Sequence, residues 1–297
     1  MARVLLIFNP VAARTDPEVV SKVSRVFTKE GWDLDVAGTN RPGHAGDLAR
    51  MGVEDGVDLV AVYGGDGTTM QAIEGIVGSE VPVGLIPGGT GNLLAGNLRL
   101  PRDPAKAAKV AMRGTPRRID LGLMACRGRD TYFAVAAGTG VDAELMAVTT
   151  GASKRRWGMG AYVARAWDLV VRRLKVVHHR ITLDGETLEA DAATVIVANC
   201  GLIIPPILRL KHDILFDDGL LDVVVLNAKN VAEGMDVMIR IITGLGHGGE
   251  RVLFLRGKSV TVETEGPRPV QLDGEPCGDT PFTARIVPSA ISIVVPK

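Results

Sequence analysis

The chain has 297 residues, of which 46% are hydrophobic and 23% are charged, with a formal net charge of zero. This length is enough for two domains, each with a core of its own. A neutral chain carries no overall basic field to draw it to nucleic acid or to anionic lipid, so nucleic acid is not an expected partner and any membrane contact has to come from a local patch.

Strands and helices alternate through the first hundred residues. The predicted strands are Val4 to Phe8, Asp33 to Val36, Leu59 to Tyr63 and Val83 to Ile86, and the predicted helices are Pro17 to Glu30, His44 to Met51 and Thr68 to Val77. Near-continuous apolar strands separated by helices are typical of a parallel sheet with helices on both faces. Ligands of such sheets bind beyond the carboxyl ends of the strands.

Beyond about residue 122 the pattern becomes that of a β domain. The predicted strands there are Tyr132 to Ala136, Val176 to Leu183, Thr194 to Ala198, Leu221 to Leu226, Ser259 to Glu263 and Ile291 to Val295, with two helices at Gly158 to Arg173 and Val231 to Gly244. The sequence therefore predicts an α/β fold with an N-terminal three-layer α/β domain over residues 1–121 and a C-terminal, mostly antiparallel β domain over residues 122–297. The final strand could return to the first domain.

The sequence predicts a cytoplasmic protein. No apolar run reaches the ~18 to 20 residues that a membrane-spanning helix needs, and the first apolar segment, Val4 to Phe8, is too short for the core of a signal peptide. The cysteines, Cys126, Cys200 and Cys277, are odd in number and widely spaced. They form no zinc pattern and no disulfide framework, which suits a reducing compartment.

A glycine-rich segment follows the third predicted strand. Leu59 to Tyr63 leads into Gly64-Gly65-Asp66-Gly67-Thr68-Thr69 and then into a predicted helix. Glycine lets the backbone turn sharply and approach a ligand, and the amides of a helix N-terminus favour an anion, so the segment predicts a phosphate-binding loop. It has neither the Gly-Lys-Ser/Thr of a Walker A loop nor the spacing of the dinucleotide fingerprint. The alternative is a tight turn that uses glycine for geometry alone.

A second glycine-rich turn lies one βα unit later, at Pro87-Gly88-Gly89-Thr90-Gly91-Asn92. Two such turns on neighbouring parallel strands would face each other at the carboxyl edge of the sheet. Asn9-Pro10, at the end of the first strand, would either reach the same edge or form a plain turn. The paired turns favour a phosphate site over a purely structural role.

These motifs, in this order, resemble the diacylglycerol kinase catalytic family, including the bacterial soluble lipid kinases, over nearly the whole chain. The other matching segments are Gly138-Thr139-Gly140-Val141-Asp142, Asp217-Asp218-Gly219-Leu220-Leu221-Asp222 and Leu272-Asp273-Gly274-Glu275. The resemblance implies an N-terminal nucleotide-binding domain and a C-terminal β domain. It also implies transfer of the γ-phosphate of ATP to the hydroxyl of diacylglycerol or a related lipid in the cleft between them, with Mg²⁺ as cofactor.

The resemblance further implies roles for individual residues. Glu275 would be the general base, with Asp66 near the phosphates or Mg²⁺ and Asp273 as a further catalytic candidate. The Mg²⁺ ion would bind Asp218 and the carbonyl oxygens of Leu215 and Leu220, although the same segment is compatible with an ordinary turn before a strand. The implied ATP contacts are Asn9, Thr39, Gly64, Gly65, Asp66, Gly67, Thr68, Thr69, Met70 and Thr90.

The tetrapeptide Leu-Asp-Gly-Glu occurs twice, at Leu183 to Glu186 and at Leu272 to Glu275. Because Asp-Gly between strands is a common hairpin turn, only the resemblance favours the second copy as the catalytic one. The chain also departs from the family at two points. Many members have a run of glycines where this chain has Cys200 to Pro206, and many have Asp where this chain has Leu93.

A lipid substrate implies a membrane surface as partner, with peripheral and transient contact at the inner face of the membrane. The basic residues Lys154, Arg155 and Arg156 next to Trp157 could bind anionic headgroups or form an ordinary solvated face. Assembly as a homodimer is left open. Two other functions also stay open: an NAD kinase, whose family shares a Gly-Gly-Asp-Gly loop, and a catalytically silent regulator that binds lipid or nucleotide on the same fold.

Overall fold

The computed structural model describes residues 1–11, 16–126, 128–140, 175–204, 208–243 and 251–297. The strands are β1 (Arg3–Phe8), β2 (Asp33–Gly38), β3 (Leu59–Gly64), β4 (Val83–Pro87), β5 (Thr115–Cys126), β6 (Arg129–Phe133), β7 (Ala136–Gly140), β8 (Val177–Leu183), β9 (Glu186–Ala192), β10 (Thr194–Ala198), β11 (Leu202–Ile204), β12 (Leu208–Arg209), β13 (Leu221–Leu226), β14 (Val252–Gly257), β15 (Ser259–Thr264), β16 (Pro269–Leu272), β17 (Glu275–Asp279) and β18 (Phe282–Val295). The helices are α1 (Pro17–Lys29), α2 (His44–Glu54), α3 (Asp66–Gly75), α4 (Leu93–Asn97), α5 (Pro104–Arg113) and α6 (Val231–Thr243). The predicted helix Gly158 to Arg173 and the basic segment before it lie outside the described residues.

Four parallel strands in the order β2-β1-β3-β4 form the N-terminal part of the main sheet. Alternate side chains of β1 enter different cores, because successive residues of a strand point to opposite faces. Leu5 and Ile7 pack on one face with α2 and α3, whereas Val4 and Leu6 pack on the other with α1 and α5. This three-layer arrangement confirms the predicted α/β fold.

The main sheet continues beyond β4 through the last strand of the chain. β18 pairs in parallel with β4 through Ile293 and Val83, and it pairs antiparallel with β5 and β15. β15 leads on to β8 and then to β9 at the outer edge. The final strand therefore joins the N-terminal strands at one end and the C-terminal strands at the other.

A second sheet of six strands has the order β14-β13-β10-β7-β16-β17. All of its pairings are antiparallel, which confirms the predicted character of the C-terminal part. Val195, Val197 and Val223 of this sheet pack with Val260 and Phe282 of the main sheet. This apolar layer fixes the position of β7 and of the β16–β17 hairpin. A separate two-stranded ribbon is formed by β11 and β12.

One sequence expectation about cysteines is wrong. Cys200 is free and buried, but Cys277 is disulfide-bonded, whereas the spacing of the cysteines predicted no disulfide framework. Spacing along the chain does not report which cysteines a sheet topology brings together. Among the described residues, none of the helices is long and apolar enough to span a membrane.

Helices α2 and α3 cross in direct backbone contact. A Cβ atom on Gly46 would lie 2.7 Å from the carbonyl oxygen of Gln71, and a Cβ atom on Gly75 would clash with the carbonyl oxygen of Gly46. Only glycine permits such an approach. The crossing fixes the direction of α3, whose N-terminus lies at the carboxyl edge of the main sheet.

We predict that Gly75→Ala lowers the free energy of unfolding by about 1 to 3 kcal/mol, because overpacking at the crossing outweighs the gain of about 1 kcal/mol in helix propensity. Gly38→Ala is the control, since a Cβ atom there meets the flexible ring of Phe8. Urea denaturation measures both variants. Equal stability of the two would contradict the close crossing.

Candidate functional site

The predicted nucleotide-binding residues lie at the carboxyl ends of neighbouring strands. Asn9 follows β1, and its side-chain amide donates to the hydroxyl of Thr68 at 3.1 Å. Thr39 follows β2, and its backbone amide donates to the carbonyl of Phe8 at 2.8 Å. The structure therefore brings these separate segments to one edge of the sheet.

Helix α3 begins at this edge with Asp66, and its N-terminal amides lack a side-chain cap from the described residues. The first amides of a helix have no intrahelical acceptor, so here they are available to an anion. Thr69 is half-buried beside them. Met70, a predicted ATP contact, packs its side chain against the hydrophobic core, so any contact with a nucleotide would involve its backbone.

The two glycine-rich turns pack directly against each other, as predicted. The amide of Gly88 donates to the carbonyl of Gly64 at 2.8 Å. A Cβ atom on Gly89 would lie 2.6 Å from the Cα atom of Gly65, so there is no room for a side chain between them. The missing side chains therefore allow the two turns to touch at the sheet edge, where Gly65 is half-buried and Thr90, at the end of the second turn, is exposed.

The carboxylate of Asp66 joins the two turns. Its Oδ1 atom accepts a hydrogen bond of 2.6 Å from the amide of Leu93, the first residue of α4. A Cβ atom on Gly91 would lie 2.7 Å from the other carboxylate oxygen. Burial raises the pKa of Asp66, and hydrogen bonds from the amides at the start of α4 act in the opposite direction. Asp66 is thus a fixed and poorly solvated carboxyl group at this edge.

Asp273 ties the turn between β16 and β17 to the segment where the chain passes from β6 to β7. It has a positive φ of 44°, and its carboxylate accepts hydrogen bonds of 2.8 to 2.9 Å from the amides of Ala134, Val135 and Ala136. Burial raises the pKa of Asp273 to about 6, and the three amides partly oppose that shift. The charge of Asp66 also raises this pKa, so the two carboxylates interact.

Glu275 begins β17 two residues later and is exposed. A Cβ atom on Gly67 would lie 3.0 Å from the Oε1 atom of Glu275, so this carboxylate stands against the first turn of α3. The structure therefore brings Asp66, at the start of α3, together with Asp273 and Glu275 of the β16–β17 hairpin. All three were candidates from the sequence.

The other Leu-Asp-Gly-Glu segment forms the same local structure in different surroundings. Asp184 has a positive φ of 50°, and its carboxylate accepts hydrogen bonds from the amides of Lys258 and Ser259 at 3.0 and 2.8 Å. Glu186 begins β9, the outermost strand of the main sheet, and is exposed. Of the two glutamates, Glu275 is the one that faces a helix N-terminus.

The predicted Mg²⁺ ligands lie in the loop before β13. Asp218 accepts a hydrogen bond of 3.1 Å from the amide of Leu220, and its other oxygen lies 3.9 Å from the guanidinium of Arg256. The side chain of Leu215 is exposed. Within the described ranges no three His, Cys, Asp or Glu side chains form a group that could hold a metal. A site at Asp218 would depend on backbone carbonyls, and it stays a prediction.

Sequence reasoning missed Asp120, which holds this loop in place. Its buried carboxylate accepts hydrogen bonds of 2.7 Å from the amides of Gly219 and Ser289. The available signal was a lone acidic residue within the otherwise apolar or glycine run from Ile119 to Met124, because buried carboxylates are rare unless they are hydrogen-bonded.

Comparison with known proteins identifies the families that the two parts of the chain resemble. Residues 3–124 match the diacylglycerol kinase catalytic domain, and residues 135–295 match the YegS C-terminal NAD kinase beta sandwich-like domain. A protein of Chromohalobacter salexigens named "probable lipid kinase YegS-like" is 31% identical, over 98% of this chain and 93% of its own length. The diacylglycerol kinase of Bacillus subtilis is 26% identical, over 100% of this chain and 97% of its own length.

A solved structure from Bacillus anthracis, named as a candidate diacylglycerol kinase, has the same fold. It aligns with a TM-score of 0.79 at 26% identity and covers 99% of this chain and 95% of that chain. The two matched regions follow each other in the order that the motifs predicted. The chain therefore belongs to the diacylglycerol kinase family of lipid kinases, with a C-terminal domain of the YegS type.

Proposed function

We propose that this chain transfers the γ-phosphate of ATP to the hydroxyl of diacylglycerol or a related lipid, with Mg²⁺ as cofactor. The observation that carries the proposal is the position of Glu275, whose carboxylate stands against Gly67 in the first turn of α3. A proton acceptor next to an uncapped helix N-terminus suits phosphoryl transfer to an alcohol, which needs positioning, charge neutralisation and removal of the hydroxyl proton.

The residues at the sheet edge fit a nucleotide phosphate. Gly65, immediately before α3, is half-buried and carries no side chain that would cover the edge, and the amides that begin α3 offer donors to an anion. The hydroxyl of Thr90 is exposed beside them. Asn9 and Thr39, at the ends of β1 and β2, would contact other parts of ATP.

In the proposed reaction Glu275 accepts the proton of the lipid hydroxyl while the hydroxyl oxygen attacks the γ-phosphorus. The new P–O bond forms as the bond to the β-phosphate oxygen breaks, and ADP leaves. Mg²⁺ would neutralise charge on the phosphates, and Asp66 is the carboxylate suited to hold it at this edge. Because both oxygens of Asp273 accept bonds from backbone amides, we assign Asp273 to positioning Glu275 rather than to proton transfer.

One assay separates this proposal from an NAD kinase and from a silent regulator. The purified protein is incubated with radiolabelled ATP, Mg²⁺, a panel of lipid alcohols and NAD. Labelled phospholipid supports the proposal, whereas labelled NADP identifies an NAD kinase. Retained ATP binding with no labelled product identifies a silent regulator. Supplying the lipids in anionic vesicles at rising salt also tests the proposed peripheral contact with a membrane, because salt screens surface charge.

Gly65→Val should abolish ATP binding while the protein stays folded. A Cβ atom on Gly65 would already lie 3.4 Å from the Cα atom of Gly89, so a branched side chain would fill the space between the turns. Calorimetry measures ATP affinity, and circular dichroism measures folding. Ala190→Val, in the edge strand β9, controls for added volume elsewhere. Wild-type affinity in folded Gly65→Val would remove this loop from the ATP site.

Glu275→Gln should lower turnover by about 10²- to 10⁴-fold, the usual range for loss of a general base, while ATP still binds. Glu186→Gln is the matched control from the identical tetrapeptide, and we expect near-normal activity from it. Turnover, ATP affinity and melting temperature are measured on both. Full activity of Glu275→Gln would show that Glu275 is not the general base. If both variants are folded but inactive, the assignment of the base to Glu275 rather than Glu186 is wrong.

Asp218→Ala should lower activity and raise the Mg²⁺ concentration that activity requires, if Asp218 holds a structural ion. Mg²⁺ should also raise the melting temperature of the wild type by mass action, and Asp218→Ala should lose that response. Asp217→Ala is the control, because the neighbouring Asp217 pairs with Arg117 instead. The same Mg²⁺ dependence in both variants would indicate that this segment is an ordinary turn without a Mg²⁺ site.

A further inference from the structure

Side chains hold helix α4 at both ends. Its first amide, that of Leu93, donates to Asp66 at 2.6 Å. At its last residue, Asn97, the side chain pairs with the backbone of Leu202 in β11: Nδ2 donates to the carbonyl oxygen at 2.7 Å, and Oδ1 accepts from the amide at 3.0 Å. Nδ2 also donates to the carbonyl of Leu93 at 3.0 Å. Asn97 therefore joins α4 to β11 through hydrogen bonds to both backbone groups of Leu202, as a neighbouring strand would.

β11 leads away from the turn that holds Asp273. It begins two residues after Cys200, whose amide donates to the carbonyl of Val135 at 3.0 Å and whose thiol donates to the carbonyl of Ala134 at 3.2 Å. The amides of the same two residues donate to the carboxylate of Asp273. The phosphate edge, which is the carboxyl edge of the main sheet with its two glycine-rich turns, is therefore joined to the acidic hairpin, which is β16–β17 with Asp273 and Glu275. The connection runs through α4, Asn97 and β11.

The described part of the β11–β12 ribbon that Asn97 holds packs into the protein, and Arg209 of β12 is half-buried. Leu202 is buried, and Ile203 is half-buried against the core. Helix α6 packs against β12 and exposes Met235 and Ile239 one turn apart. The exposed side chains of Met235 and Ile239 place an apolar helix face beside the ribbon, which suits contact with the hydrocarbon part of a lipid.

We propose that Asn97 is a positioning residue that aligns the β11–β12 ribbon, and with it the lipid, with the phosphate edge. The inference rests on the proposed kinase function and extends it to a residue outside the glycine-rich turns and the acidic hairpin. A displacement of about 1 Å between reacting groups can cost about 100-fold in rate. Asp66 still caps α4 when Asn97 is lost, so ATP binding is retained.

Asn97→Ala and Asp103→Ala separate positioning from stability. Asp103 caps α5 by accepting from the amide of Lys106 at 2.8 Å, so its loss lowers stability away from the ribbon. We expect both variants to melt earlier. Asn97→Ala should lower kcat/KM for the lipid by about 10- to 100-fold with an unchanged KM for ATP, and Asp103→Ala should change neither. An unchanged lipid kcat/KM in folded Asn97→Ala, or an equal loss of ATP affinity, overturns the proposal.

Hydrogen exchange at the Leu202 amide tests the same link without lipid turnover. In the wild type, ADP should slow exchange over Leu202–Ile204, because ligand at the turns orders α4. Asn97→Ala should exchange faster there and should lose the response to ADP. Persistence of that response in Asn97→Ala overturns the link. If the wild type shows the response but phosphorylates no lipid, the proposed function fails while the link between α4 and β11 is supported.

Discussion

Three backbone amides around the carboxylate of Asp273 form the interaction on which the rest of the site depends. They come from consecutive residues where the chain passes from β6 to β7, and the carboxylate comes from the turn between β16 and β17. A carboxylate that accepts three hydrogen bonds away from water keeps one orientation. Because one glycine separates Asp273 from Glu275, fixing the aspartate also fixes where the glutamate stands.

The two copies of Leu-Asp-Gly-Glu share a local turn but differ in their surroundings, and only the surroundings distinguish a catalytic glutamate. Asp184 adopts the same positive φ and accepts amides from a neighbouring segment, as Asp273 does. The turn with positive φ is therefore a property of the local sequence, whereas the amides that anchor it come from distant segments in both copies. What differs is tertiary: Glu186 begins an outer strand, whereas Glu275 stands against Gly67. A motif without its surroundings does not assign the base.

The features that depend on local pattern were predictable from the sequence. Apolar runs such as Leu59 to Tyr63 predicted buried parallel strands, and the glycine-rich turns predicted an open edge beyond them. Asp120 and Asn97 were missed, since their backbone partners lie 99 and 105 residues away along the chain. A polar residue that acts through such a contact looks like any other polar residue until the topology is known.

The negative charge that carboxylates and ATP would bring together at this edge favours a divalent cation, because backbone amides alone would not balance it. Burial raises the pKa of Asp66 and of Asp273, the latter from 3.8 to about 6. Because the folded pKa of Asp273 lies above the unfolded value, its protonation stabilises the fold fully below about pH 4, and this contribution is lost as the pH rises through 6. At neutral pH the carboxylate of Asp273 is therefore charged at some cost, burial also opposes the charged form of Asp66, and ATP would add further negative charge beside Glu275. A helix N-terminus supplies only about half an elementary positive charge, so in the proposed reaction a hard divalent ion would offset the remainder. Under the proposed kinase function, these charges favour MgATP over free ATP as the substrate.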